Sequence, residues 1–144
     1  MGFFSKLVNK VTGGWAEVDM EVPSEVRRGT SMTVTASVAV KSEAIEVERV
    51  TIQVQCLQEV PAIDLNVTDG IKPPPNHQAV YTDFVHVEEA GELPAGTTRS
   101  YSATFDLPAE VPISDRKHSW MARTVVVMEG NDPDSGWESF DVVA

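Results

Sequence analysis

Tyr101-Ser-Ala-Thr-Phe-Asp-Leu-Pro-Ala-Glu-Val-Pro-Ile-Ser-Asp-Arg-Lys-His-Ser-Trp-Met-Ala-Arg-Thr-Val-Val-Val-Met128 is the stretch that decides the fold. Its first seven residues alternate. Tyr101, Ala103, Phe105 and Leu107 share one face, because side chains on a strand repeat every two residues. Pro108 and Pro112 bracket a segment that cannot stay in a ladder, since each proline lacks an N–H. The polar linker Ser114-Asp115-Arg116-Lys117 then leads into the longest apolar strand, Ser119 to Met128. Strand, proline-bracketed crossing and central strand together describe a chain leaving one sheet of a sandwich and entering the other. On the central strand, Trp120, Ala122, Thr124, Val126 and Met128 form the face assigned to the core. Met121, Arg123, Val125 and Val127 form the opposite face, and three of those four are apolar. A face of that kind needs cover or marks a contact surface.

Working outward, the alternation extends from Trp15 to the end of the chain. Ala16, Val18, Met20 and Val22 give one strand, ending at Pro23. Met32, Val34, Ala36, Val38 and Val40 give a second, half-buried and antiparallel in character. Val50, Ile52, Val54 and Cys56 give a third, with Cys56 as a small core residue. Val80 to Val87 is partly apolar on both faces, and Gly130 to Gly136 turns the chain into a last strand, Trp137 to Val143. No strand–helix–strand alternation is present, so parallel-sheet folds are disfavoured. The expected fold is all-β, an antiparallel immunoglobulin-like sandwich of about eight strands.

Ahead of it, residues 2–12 read as a short amphipathic helix. Phe3, Phe4, Leu7, Val8 and Val11 fall within an arc of roughly 140°, and Gly13-Gly14 ends the helix. The expected organisation is therefore a helix over 1–13 and a single sandwich domain over 14–144. The helix is expected to lie on the sandwich, over the apolar outer face of the central strand. Contact of residues 2–12 with a membrane surface is the other use of such a helix.

Composition narrows the function. The chain has 144 residues and a formal net charge of −11, from 22 acidic and 11 basic side chains. That surface repels phosphate backbones and argues against nucleic acid as a partner. The single cysteine excludes an internal disulfide and fits a reducing, cytoplasmic compartment. No apolar run approaches the roughly 20 residues of a membrane span, and Lys6 and Lys10 interrupt what would be a secretory leader. Nucleophile elbows, phosphate loops and zinc-protease motifs are missing, so no enzymatic activity is expected and no cofactor is implied. His77, His86 and His118 have no metal-ligand spacing. The acidic turn at 131–138, with Asn131, Asp132, Asp134, Ser135 and Glu138, has the hard oxygen atoms that suit calcium, but it is short and Pro133 stiffens it. The longest irregular segment, 61–78, contains Pro73, Pro74 and Pro75, a stiff polyproline-like run. Loops of this length on a rigid scaffold often carry binding.

Several motifs resemble the bacterial sporulation-control arrestin-like proteins. They are Gly2-Phe-Phe-Ser-Lys-Leu, Ala16-Glu-Val-Asp-Met-Glu-Val, Glu25-Val-Arg-Arg-Gly29 ahead of Met32-Thr-Val-Thr-Ala, and Phe105-Asp-Leu-Pro108 with Val111-Pro112 before Trp120-Met-Ala-Arg-Thr-Val. The resemblance covers most of the chain through short motifs. It implies an arrestin-type sandwich without enzyme activity and an adaptor or regulatory role exercised through protein contacts. Members of that group usually carry two sandwiches in tandem, whereas 144 residues hold one, so self-association through a sheet edge is a further expectation. The contact residues expected are Phe3, Phe4 and Leu7 on the helix and Pro73, Pro74 and Pro75 in the loop, with strand addition at a sheet edge as a second mode. The competing reading is a carbohydrate-binding sandwich with a structural calcium at 131–138, suggested by Trp15, Trp120 and Trp137.

Overall fold

The computed structural model describes residues 5–12, 15–60, 76–130 and 132–144. Eleven strands follow one another in these residues: β1 (Ser5–Thr12), β2 (Ala16–Pro23), β3 (Glu25–Arg27), β4 (Ser31–Val40), β5 (Ile45–Val47), β6 (Arg49–Val60), β7 (Asn76–Glu88), β8 (Gly91–Leu93), β9 (Thr98–Asp106), β10 (His118–Val127) and β11 (Glu138–Val143). A four-stranded sheet has the order β1-β2-β4-β9, a five-stranded sheet the order β3-β11-β10-β6-β7, and β5 and β8 form a small third sheet. All pairings are antiparallel except β3 with β11, which run parallel, Val26 opposite Val142.

The period-two pattern places the core. Met20, Val22, Met32, Val34, Ala36, Ala103 and Phe105 from the four-stranded sheet meet Ile52, Val54, Cys56, Trp120, Ala122, Phe140 and Val142 from the five-stranded sheet. Trp120 is buried, its ring centroid 5.4 Å from Tyr81 and 6.0 Å from Phe140. A second cluster fills the other end, where Ile45, Val47 and Leu93 of the small sheet close over Ala16, Val18, Val38, Val40, Val50 and Val126. Burial pushes the Cys56 thiol up to about 11, the Asp115 carboxylate adding to the shift, so this cysteine is a protonated core side chain rather than a nucleophile.

The proline-bracketed segment makes the expected crossing, since β9 belongs to one sheet and β10 to the other. It is pinned at its Pro112 end. The Trp120 indole N–H donates to the Pro112 carbonyl at 3.0 Å, and Arg28 donates to the Val111 carbonyl at 2.8 Å. Leu107 and Val111 drop into the core.

One expected element differs. Residues 5–12 form a strand, not a helix, paired with β2 from Ser5 opposite Pro23 to Thr12 opposite Ala16. The physical reason is the free edge of β2. An isolated helix of this length is marginal in water, whereas pairing satisfies the backbone of both segments. Residues 1–4 lie outside the described residues. The strand count exceeds the expected eight because β3, β5 and β8 have three residues each, too short to leave an alternation signal.

Candidate functional site

The groups that suggested metal chemistry are engaged otherwise. The Asp132 carboxylate accepts the Met128 N–H at 3.0 Å, and the Asp134 carboxylate accepts the Gly136 N–H at 2.6 Å, so both oxygens hold the turn. Asn131 lies outside the described residues. His118 contacts Asp115 at 2.9 Å, and the same Asp115 oxygen accepts the N–H groups of Lys117 and His118. These bonds, that of the Lys117 N–H first, hold the Asp115 carboxyl below its usual range. His86 contacts the Thr51 hydroxyl at 2.9 Å. Among the described residues no group of three or more His, Cys, Asp or Glu side chains is placed to hold a metal.

A surface cavity of about 500 Å³ lies beside β2, β3 and β4 and includes Glu21, Glu25, Arg27 and Thr30 in its lining. Its lining contains no histidine or cysteine to act as base or nucleophile.

The other concentration of unusual side chains is the outer face of the five-stranded sheet. Register builds it. Arg123 of β10 stands opposite Gln53 of β6, and Gln53 stands opposite Phe84 of β7, so the three form a row across the strands. Arg123 donates through Nε and Nη2 to the Gln53 side-chain oxygen at 3.3 and 3.0 Å. Its guanidinium lies 4.5 Å from the centroid of the Trp137 ring, a cation–π stack. Phe84 is 57% exposed and Trp137 40% exposed, and the Phe84 ring sits 5.0 Å from His86. Two shallow depressions flank the row. One, of about 230 Å³, includes Gln55, Thr82 and Trp137. The other, of about 340 Å³, includes Arg49, Thr51, His86, Val127 and Asp132.

Trp137 reaches this position because β11 pairs with only three residues of β10, Trp120 to Ala122. Beyond them the return arm takes β11's place. The Val126 N–H donates to the Pro133 carbonyl at 2.8 Å, and the Ser135 N–H donates to the Thr124 carbonyl at 3.0 Å. The apolar outer face of β10, expected to lie under an N-terminal helix, is therefore bordered by this arm, while β1 sits on the edge of the opposite sheet.

Of the contact residues expected from sequence, Phe3, Phe4, Pro73, Pro74 and Pro75 lie outside the described residues, and Leu7 lies in β1 opposite Glu21. The structure does not bring Leu7 to the Arg123 face. Sequence reasoning marked β10's outer face as unusual but not the row. The parity of Phe84 with Thr82 and His86 was legible, whereas its alignment with Gln53 and Arg123 needs the register of two strand pairs and a bulge between Val50 and Thr51.

The sequence model of the SpoOM protein family (Spo0M) matches residues 4–135. The fold is similar to that in the crystal structure of Spo0M, sporulation control protein, from Bacillus subtilis, with a TM-score of 0.70 at 19% identity. That likeness covers 91% of this chain and 50% of the Bacillus protein, so the chain spans half its length. No curated protein matches the chain by sequence. The architecture is thus that of an arrestin-like β-sandwich.

Proposed function

The chain belongs to the SpoOM protein (Spo0M) family, and from that premise we propose that it is a non-catalytic regulatory module that acts through protein contacts made by the outer face of its five-stranded sheet. The observation that carries this reading is the row Phe84–Gln53–Arg123–Trp137, in which two exposed aromatic rings bracket a stacked arginine. Exposed aromatics with arginine are the side chains that dominate protein contact energies. The process assigned is sporulation control, after the Bacillus subtilis protein, and the compartment assigned is the cytoplasm.

In this reading the chain acts as one sandwich, with β1 completing its four-stranded sheet. Phe3, Phe4 and Leu7, together with Pro73, Pro74 and Pro75, supply further contacts. The long edge strand β7 offers strand addition or self-association. Among the described residues, no helix is long and apolar enough to cross a membrane.

The test is co-purification from cells of the source organism, comparing the tagged chain with Phe84→Ser and Trp137→Ser. Both positions are well exposed, so melting temperatures should stay within a few degrees of the parent. Loss of the same co-purifying protein from both variants supports the reading. Unchanged recovery from both removes the face from it.

A further inference from the structure

The Arg123 guanidinium is incompletely partnered. In a chain with 22 acidic side chains, no carboxylate pairs with it among the described residues, its neighbours being the neutral Gln53 oxygen and the face of Trp137. The Nη1 edge of its fork has no hydrogen bond there. A half-buried guanidinium gains most from a planar carboxylate that can meet that fork. The apolar rings of Phe84 and Trp137 stand on either side, one two strands away on β7 and the other over the guanidinium itself.

We propose that this face binds a short extended segment of a partner protein in which a single carboxylate is flanked by apolar side chains. The carboxylate meets the open edge of Arg123, and the apolar neighbours lie against Phe84 and Trp137. Charge complementarity decides both the sign and the number. On the Arg49 side the cations Arg49 and Arg123 outnumber Asp132, whereas on the Trp137 side Asp83 offsets Arg123, so the carboxylate approaches Arg123 from the Arg49 side. The remainder of a molecule with net charge −11 repels any segment rich in negative charge, which excludes a polyacidic tail or a multiply phosphorylated one. The claim rests on the contact reading above and names the chemistry of its partner.

Two blocked peptides test it, acetyl-Gly-Phe-Glu-Phe-Gly-amide and its Gln counterpart, titrated into the full chain while the Arg123 Nε–H and Trp137 indole N–H resonances are followed. The glutamate peptide is expected to bind about fivefold more tightly, the size of a half-exposed charge contact. That preference should vanish in Arg123→Gln, and Phe84→Ser should weaken both peptides alike. Equal binding of the two peptides, an unchanged preference in Arg123→Gln, or no binding of either at millimolar concentration overturns the proposal. Should Arg123→Gln melt early, Arg123→Lys replaces it, keeping the charge without the planar fork. A reduced preference in that variant supports the proposal, and an undiminished one overturns it. Co-purification separates the two claims. If Phe84→Ser and Trp137→Ser lose the partner while Arg123→Gln retains it, the contact reading stands and the carboxylate fails. If all three variants retain the partner, the contact reading itself fails.

Discussion

Ser135 shows how one side chain can hold an irregular segment to a sheet. It is buried, and its hydroxyl accepts the Thr124 N–H at 3.0 Å while donating to the Gly136 carbonyl at 2.9 Å. It thereby replaces a ladder partner that β11 does not reach. Ser135→Ala leaves the Thr124 N–H buried without an acceptor, at a cost of about 1–3 kcal/mol. Denaturant melts should show a lower midpoint at an unchanged slope, and Ser135→Thr should recover part of the loss only if its methyl fits. Trp120 is the corresponding residue for the crossing. Trp120→Phe keeps an aromatic ring in the core but abandons the bond to Pro112, so about 1 kcal/mol is expected from the hydrogen bond with a further loss from reduced volume. Trp120→Ala opens a cavity as well and is expected to cost about 3–5 kcal/mol. A Phe variant as damaged as the Ala variant would show that the crossing depends on the indole N–H more than on ring volume. Sequence alone assigned Trp120 to the core by parity, whereas the Pro112 carbonyl as its partner came only with the turn geometry.

At the scale of elements, the open side of the sandwich is closed by a small polar seam. Glu88 at the end of β7 accepts the Tyr101 hydroxyl at 2.9 Å and Arg99 at 3.0 Å, joining the edge strands of the two main sheets. Burial first, then the hydrogen bond to Glu88, raises the Tyr101 phenol above its ordinary value of 10.0. The unfolded phenol ionises near pH 10 while the folded one stays protonated. The stability it contributes is therefore complete below about pH 10 and is lost as pH climbs toward the folded value. Tyr101→Phe should be less stable at neutral pH and should lose stability less steeply above pH 10. A residual slope is expected because burial also raises Tyr81, the second of the two tyrosines. Phenolate absorbance and denaturant melts at several alkaline pH values check both statements. The other informative element is β1. Its apolar residues suit a helical stripe, and nothing local contradicts that. What decides for a strand is the unpaired edge of β2, a tertiary condition that periodicity in residues 2–12 cannot reveal. Removing residues 2–12 should expose that edge and produce concentration-dependent association, read by sedimentation velocity. A truncated chain that remains monomeric and equally stable would mean β1 contributes little to the sheet.

For the molecule as a whole, the layers were legible because burial imposes period two on every long strand, and the inner-face residues of β2, β4, β6, β9 and β10 follow from alternation alone. The Arg123 row was not, because it joins three strands and an arm whose alignment is set by bulges and by the short β10–β11 pairing. The same whole-molecule view governs the charge. With 22 acidic against 11 basic side chains, folding concentrates like charges, and self-repulsion opposes the compact state. Among the described residues the Arg99–Glu88 pair, one attraction that offsets it, is exposed, and exposed pairs contribute about 0–1 kcal/mol. Screening shortens the reach of charge from roughly 30 Å at 0.01 M salt to about 10 Å at 0.1 M, which weakens distributed repulsion more than it weakens contacts such as Arg123 on Trp137. Sodium chloride between these concentrations should therefore raise the melting temperature, and a relief of 1 kcal/mol corresponds to roughly 2–4 °C. A melting temperature that fell with salt would mean that attractive pairs outweigh the excess negative charge. It would also weaken the case that long-range repulsion restricts the Arg123 face to singly charged segments.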